Sequence, residues 1–144
     1  MTILGHEDDE TLGCGGTLNR FNKNVLCLIP IRRIEEQCKS ALKTLGVGNV
    51  IYGDFDDNQL DKYPLLDICK WVTSGIEKFS PDVIITHCYN CTNQDHRVLY
   101  EASVICSRPL KRHITLMTCE IPSSTGYLRP TGFEPNYYVE LSPD

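Results

Sequence analysis

The sequence predicts a single-domain α/β fold in which a Rossmann-like, mostly parallel sheet carries helices on both faces. Short apolar runs alternate with longer segments of helical apolar spacing, and this alternation is typical of βαβ units. The run at 82–86 shows no polar alternation, as expected for a strand that is covered on both faces. A chain of 144 residues fits one domain, which we expect to span 1–144.

Strands are predicted where short apolar runs stand between turn residues or charged segments. Residues 1–4 and 25–29 form such runs, and residues 50–52 form another that leads into an acidic loop at 53–58. After residue 119 the chain is irregular and rich in Pro, Ser, Thr and Gly before a last apolar run. The predicted strands are 1–4, 25–29, 50–52, 82–86, 114–118 and 137–141.

Helices are predicted where apolar residues recur at intervals of three and four. The first helix follows Asp8 and Asp9, which supply an N-cap and negative charge near the positive end of the helix dipole. The second helix stops at Gly46, and the third has Pro64 in its first turn. The predicted helices are 10–21, 32–45, 64–79 and 94–107.

Composition and charge exclude several classes of protein. The net charge of −5 disfavours nonspecific binding of nucleic acid, which usually depends on a basic patch. No apolar run approaches the roughly 20 residues that a membrane-spanning helix needs, and no leader precedes the first strand. We therefore expect a cytoplasmic protein whose eight cysteines are reduced thiols. The sequence leaves the oligomeric state open, including a homo-oligomer.

The run HEDDE at residues 6–10 places one imidazole and four carboxylates directly behind the first strand. Parallel α/β sheets bind ligands in the crevice outside the carboxyl ends of their strands. So much negative charge at a sheet edge needs a cation to neutralise it, and His and Asp are ordinary ligands of Zn²⁺. The alternative interpretation is that these acids only cap the helix and compensate its dipole.

A second polar cluster, at residues 87–96, follows the strand at 82–86. Neighbouring parallel strands lie about 5 Å apart, so clusters at two strand ends can converge on one crevice. His6 and Asp9 from the first cluster, with His96 from the second, predict a three-ligand zinc site. A fourth position left to water is how catalytic zinc sites are built.

The neighbours of these three residues have expected roles as well. Asp8 is placed to act as general base beside the metal-bound water. Asp95 is a natural acceptor that could orient an imidazole of the site. Arg97 either binds an anionic group of the substrate or pairs with an acidic loop, and an Asp-His-Arg run is also common as a simple cap and surface pair.

These residues resemble a known family. Residues 5–18 resemble the Ala-His-Pro-Asp-Asp-Glu…Gly-Gly-Thr-Leu opening of the LmbE/PIG-L family of zinc-dependent de-N-acetylases, and residues 93–97 resemble its second metal motif. The segments 45–47 and 55–60 resemble two further family segments in the expected order. The resemblance therefore spans nearly the whole chain.

The resemblance implies an enzyme that hydrolyses the N-acetyl group of an N-acetylglucosamine-like amino sugar or its glycoside, a small-molecule substrate. It implies one zinc ion with three protein ligands and a water molecule. Carried over to this sequence, the zinc ligands are His6, Asp9 and His96, the base is Asp8, and Asp57 lies near the substrate.

Several departures from the family pattern matter, among them Glu7 and Asn93. Glu7 replaces the usual Pro, and Asn93 stands where many members have a histidine that stabilises the transition state or protonates the amine. An asparagine can donate a hydrogen bond to an oxyanion but cannot transfer a proton at neutral pH. Asn93 is therefore a predicted catalytic residue without an acid function, and Asp8 or His87 would have to protonate the leaving amine.

The chain is also short for this family. Only residues 30–31 join the predicted second strand to its helix, where relatives carry a longer polar loop, and the later helix of the family is absent. We expect that loop and C-terminal segments are missing and that the native polypeptide is longer.

Three rival interpretations stay open. Cys88 and Cys91, with neighbouring histidines, could hold a structural zinc, although a single Cys-x-x-Cys is a weak signal. The glycines at 13–16 superficially resemble a phosphate-binding loop, but their spacing is not that of a dinucleotide-binding motif. A non-catalytic carbohydrate-binding domain could also use the same fold.

Overall fold

The computed structural model describes residues 1–108, 112–125 and 133–141, which contain five strands and four α-helices. Two single turns of 3-10 helix lie at Asn22–Asn24 and Leu60–Lys62. In chain order the elements are β1 (Thr2–Ile3), α1 (Asp9–Phe21), β2 (Leu26–Ile31), α2 (Glu35–Thr44), β3 (Asn49–Phe55), α3 (Leu65–Phe79), β4 (Val83–His87), α4 (Gln94–Cys106) and β5 (Thr115–Cys119).

The five strands form one sheet in the order β3-β2-β1-β4-β5, and every pair is parallel. This arrangement confirms the predicted fold class. The chain builds outwards from β1 to β3 and then crosses to β4, so the order reverses between β1 and β4. The crevice at such a reversal, outside the carboxyl ends of the strands, is the usual ligand site of an open parallel sheet.

Helices cover both faces of the sheet, each over its own apolar core. On one face, α3 and α4 contribute buried residues such as Ile68, Val72 and Leu99. On the other face, α1 and α2 contribute residues such as Leu18 and Leu42. The eight cysteines are all unpaired and seven of them are buried, which confirms the expectation of free thiols inside the fold. Among the described residues, no helix is both long and apolar enough to cross a membrane.

The loops differ from the sequence-based prediction more than the core does. Pro30 and Ile31 belong to β2, and the first half of the predicted acidic loop at 53–58 belongs to β3. The register of these strands shifts between Ile29 and Ile31, where Pro30 lies against Gly53. Pro cannot donate to a strand ladder, so it is tolerated inside a sheet only at such an irregularity.

The predicted strand at 137–141 is wrong, because residues 133–141 have no regular secondary structure. A strand is stabilised by pairing with a neighbouring edge, and strand-forming residues alone do not provide one. The segment lies against α1 instead, where a side chain at Gly16 would collide with Leu141.

Candidate metal centre

The ends of β1 and β4 bring three predicted metal ligands together. The Nδ1 atom of His6 lies 3.1 Å from Asp9 Oδ2 and 3.1 Å from His96 Nε2, and these last two atoms are 3.0 Å apart. His6 and Asp9 come from the loop after β1 and the start of α1, whereas His96 lies in the first turn of α4. We call His6, Asp9 and His96 the ligand triangle.

The ligand triangle fits one face of a tetrahedral zinc site. Zinc bonds of about 2.0–2.1 Å separate neighbouring ligand atoms in a tetrahedron by about 3.3–3.4 Å. The triangle's sides of 3.0–3.1 Å are only slightly shorter. Two imidazoles and one carboxylate are also a common donor set for catalytic zinc, and three protein ligands leave the fourth position open.

The electrostatics of the triangle favour a positive charge at its centre. Burial alone would lower the pKa of His6, but hydrogen bonds to Asp9 and Asp95 raise it to about 10. The pKa of His96 is also raised, because Asp9 and Cys91 outweigh its burial. For Asp9, burial would raise the pKa. The two histidines outweigh this effect and hold the pKa well below its usual range.

The opposite side of His6 faces a second pair of carboxylates. His6 Nε2 lies 3.2 Å from Asp57 Oδ1 and 3.5 Å from Asp95 Oδ2. Asp95 is fully buried and accepts hydrogen bonds from the backbone N–H groups of Asn58 and Leu60 at 2.7 and 3.0 Å. The carboxylate thus orients His6 rather than the adjacent His96, and it fastens the loop after β3 to the start of α4.

Asp57, a predicted substrate-binding residue, already has protein partners. Besides its contact with His6, its Oδ2 atom accepts a hydrogen bond of 2.8 Å from Arg33 Nη1. Both side chains are partly exposed at the mouth of the site, where a substrate can compete for them. Binding of substrate by Asp57 stays a prediction.

Asp8, the predicted general base, is exposed at the start of α1. Its backbone carbonyl accepts hydrogen bonds from Thr11 and Leu12, but its side chain makes no capping bond. The carboxylate is therefore not committed to the helix, which weighs against the interpretation of this residue as a simple cap. The base function itself stays a prediction.

The two remaining predicted residues have structural contacts in the described part of the chain. Asn93 is the N-cap of α4, and its side-chain oxygen accepts from the N–H groups of Asp95 and His96. The guanidinium of Arg97 donates to the backbone carbonyls of Cys91 and Thr92 at 2.8 and 2.7 Å. Capping leaves the Asn93 amide nitrogen available as a donor, whereas Arg97 serves mainly to hold the loop. A catalytic role for Asn93 and substrate binding by Arg97 stay predictions.

Two of the rival interpretations find no support in the geometry. Among the described residues, groups of three or more potential metal ligands occur only around His6, and neither of the two includes a cysteine. Cys91 Sγ instead lies 3.1 Å from Nδ1 of His96, on the side of the ring away from the triangle. Gly13, Gly15 and Gly16 lie inside α1 and pack against other elements, so they do not form a phosphate loop.

Two residues next to the triangle have contacts that the sequence-based prediction did not include. Glu7 is buried, and its Oε2 atom accepts hydrogen bonds from the backbone N–H groups of Arg33 and Ile34 at the start of α2. His87 was expected only as a possible acid, but its ring is fully buried and stacks on His96. The buried ring has a strongly lowered pKa, because desolvation disfavours its charged form, and so His87 is unsuited to protonate a leaving amine.

The fold agrees with the comparison to known protein families. Residues 26–107, more than half of the chain, match the family described as PIG-L, GlcNAc-PI de-N-acetylase. The chain therefore belongs to the PIG-L (LmbE-like) family of deacetylases. A similar protein is the uncharacterized deacetylase YaiS of Escherichia coli K12. It is 26% identical over 151 residues, which cover 93% of this chain and 80% of YaiS.

Solved structures with the same fold include two deacetylases. The zinc-inhibited form of teicoplanin deacetylase Orf2 aligns with a TM-score of 0.67 at 15% identity, over 83% of this chain and 68% of Orf2. The N,N'-diacetylchitobiose deacetylase of Pyrococcus horikoshii aligns with a TM-score of 0.56 at 19% identity, over 76% of this chain and 51% of that enzyme. At these identities the likeness establishes the shared fold.

Proposed function

We propose that this protein is a zinc-dependent hydrolase that removes the N-acetyl group from an N-acetylglucosamine-like amino sugar or its glycoside. The observation that carries the proposal is the ligand triangle, in which atoms from two strand ends meet at 3.0–3.1 Å. Membership of a deacetylase family and the acetylated sugar named for the Pyrococcus relative support the choice of reaction and substrate class.

The proposed ligands of a single zinc ion are His6, Asp9 and His96. What a bound zinc ion supplies is Lewis acidity, which lowers the pKa of water and polarises an amide carbonyl. Asp95 Oδ2 lies 3.5 Å from the far nitrogen of His6, where its negative charge helps to keep the ring in place. The buried rings and carboxylates around the triangle exclude bulk water on the protein side of the site.

Asp8 is the proposed proton carrier of the reaction. Its carboxylate takes a proton from the attacking water as the oxygen bonds to the acetyl carbon. It then returns that proton to the sugar nitrogen as the carbon–nitrogen bond breaks, so the products are the free amine and acetic acid, which ionises to acetate in water. One group suffices for both steps, which removes the need for a histidine at position 93. Asn93 can contribute its amide N–H to the oxygen that becomes negative.

The proposal is tested by measuring zinc content and acetate release together. We expect about one zinc per chain in the wild type and acetate release from N-acetylated amino sugars. Asp8→Asn should keep the zinc and lose about 10²–10⁴-fold in activity, as for removal of a general base. Asp67→Asn, which changes an exposed carboxylate in α3, is the matched control and should keep both properties.

Two outcomes would overturn the proposal. Wild-type protein that binds zinc but releases no acetate from such sugars would indicate the carbohydrate-binding domain instead. Zinc that is retained after His6→Ala but lost after Cys91→Ser would indicate a structural zinc site.

A further inference from the structure

His87 contacts both parts of the site: the loop after β1, which carries His6, and α4, which carries His96. It is the last residue of β4, its ring is fully buried, and its Nε2 atom accepts a hydrogen bond of 2.8 Å from the backbone N–H of Gly5. Gly5 directly precedes His6, so this bond fixes the backbone that carries one corner of the ligand triangle. The same nitrogen lies 3.6 Å from Asp9 Oδ2.

The ring of His87 also supports the opposite corner of the triangle. It stacks on the ring of His96 with centroids 3.6 Å apart and planes 7° from parallel. Cys91 Sγ meets the far nitrogen of His96 at 3.1 Å. The plane of the His96 ring is thus set by His87 and its rotation by Cys91, which together aim Nε2 at Asp9.

Gly5 packs closely against the rings of His87 and His96. A Cβ atom at Gly5 would lie 3.2 Å from His96 Cδ2 and 3.4 Å from His87 Nε2, so the backbone of Gly5 packs directly against both rings. A small movement of any one of these three residues therefore changes the distances between the ligand atoms.

Packing alone does not account for a histidine at this position. Because Nε2 accepts from Gly5, the neutral ring carries its proton on Nδ1, and among the described residues that buried nitrogen has no hydrogen-bond partner. A buried donor without a partner destabilises the folded chain. A leucine would fill the space without that cost, but it would provide neither the acceptor for Gly5 nor the flat surface for His96.

We propose that His87 is a positioning residue that sets the distance between the His6 and His96 ligand atoms through its contacts with Gly5 and His96. The inference rests on the proposed metal site and adds a residue that acts on zinc without touching it. Residues that orient metal ligands in this way typically affect metal affinity by about 10–100-fold.

The test uses two variants that each remove one of the two contacts. His87→Phe keeps a flat ring against His96 but lacks the acceptor, whereas His87→Gln keeps an acceptor but lacks the ring. We expect both variants to bind Zn²⁺ more weakly in competition with a chromophoric chelator, His87→Phe by about 10–100-fold. The visible absorption of bound Co²⁺ should also shift, because the ligand geometry changes.

Ser103→Ala is the matched control for buried polar substitutions beside β4. Ser103 in α4 donates to the side-chain oxygen of Thr86, the residue before His87, at 3.0 Å. This variant should lower the free energy of unfolding and leave Zn²⁺ affinity and the Co²⁺ spectrum unchanged. A merely structural His87 would give the same result as this control.

The outcomes separate the two proposals. If folded His87→Phe or His87→Gln binds Zn²⁺ with wild-type affinity and an unchanged Co²⁺ spectrum, the positioning role is wrong and the metal site stands. If the wild type binds neither ion, both proposals are wrong. Should His87→Phe fail to fold, His87→Gln decides, because it removes the ring that stacks on His96 while keeping an acceptor for Gly5.

Discussion

His6 uses its two ring nitrogens for different tasks. Nδ1 belongs to the ligand triangle, while Nε2 faces the carboxylates of Asp57 and Asp95. Asp95 stays ionised despite its burial: its pKa is lowered because His6 and two backbone N–H groups outweigh the desolvation of the carboxylate. One buried carboxylate thus sets both the orientation of His6 and the course of the loop at Asn58.

Substitution of Asp95 tests the orientation of His6. Asp95→Asn should weaken Zn²⁺ binding by about 10–100-fold, because the amide cannot accept from His6 and both backbone groups as a carboxylate does. Asp57→Asn should have a smaller effect on affinity, since Asp57 is partly exposed and also pairs with Arg33. Isothermal titration with Zn²⁺ measures both variants, and equal affinities for the two would contradict the assignment to Asp95.

Asn93 allows its capping and catalytic functions to be separated. Asn93→Ala should lower the free energy of unfolding by about 0.5–2 kcal/mol, because α4 loses its cap. Asn93→Asp keeps an oxygen that can cap and should unfold at a urea concentration near that of the wild type. If the amide N–H of Asn93 stabilises the oxyanion, Asn93→Asp should release acetate more slowly than the wild type even though its stability is retained. Full activity of this variant would assign Asn93 to the cap alone.

At the scale of elements, the contact between β2 and β3 accommodates a proline inside the sheet. Pro30 lies in β2, next to the edge strand β3, and Gly53 stands opposite it without a side chain. This irregularity lies just before Arg33 and the loop that carries Asp57. The local departure from strand geometry therefore helps to place one wall of the site.

Gly53→Ala should destabilise the protein by about 1–3 kcal/mol, the usual cost of inserting a methyl group where there is no space. The added Cβ would lie 2.5 Å from the backbone oxygen of Pro30, which cannot move independently of the sheet. Gly48→Ala is the control, because a Cβ there meets nothing within 4 Å. Urea unfolding that shows the same loss for both variants would contradict this account.

At the scale of the whole molecule, the candidate metal site depends on the order of the strands. The segments that carry its residues are neighbours only when β1 pairs with β4. A ligand that binds only the folded chain stabilises it, by about 2.7 kcal/mol at a hundredfold excess over Kd. For a domain of this size that corresponds to a rise in Tm of about 5–10 °C.

Thermal unfolding with and without zinc tests this linkage. Wild-type protein should melt about 5–10 °C lower after chelation, and the difference should vanish in His6→Ala. Circular dichroism in the far ultraviolet measures both. A shift that persists in His6→Ala would locate the bound metal elsewhere.

The fold and the meeting of the two polar clusters could be predicted from sequence, because apolar periodicity and strand-end position are local properties. The contacts of Glu7 with Arg33 and Ile34 could not, since they join a side chain to backbone groups 26 and 27 residues away. The position of His87 depends in the same way on its facing partners. The failed strand at 137–141 shows that strand-forming residues do not specify an edge to pair with.

The hydrogen bond from Gly5 to His87 spans 82 positions of the chain, and the contact between His6 and His96 spans 90. During synthesis, the N-terminal residues of the triangle are made long before their partners, and a chain that ends before α4 lacks the third ligand. Pairings between such distant segments form slowly, because the intervening chain must be ordered first. Binding of metal to the ligand triangle would therefore occur late in folding, only in chains in which β1 and β4 have already paired.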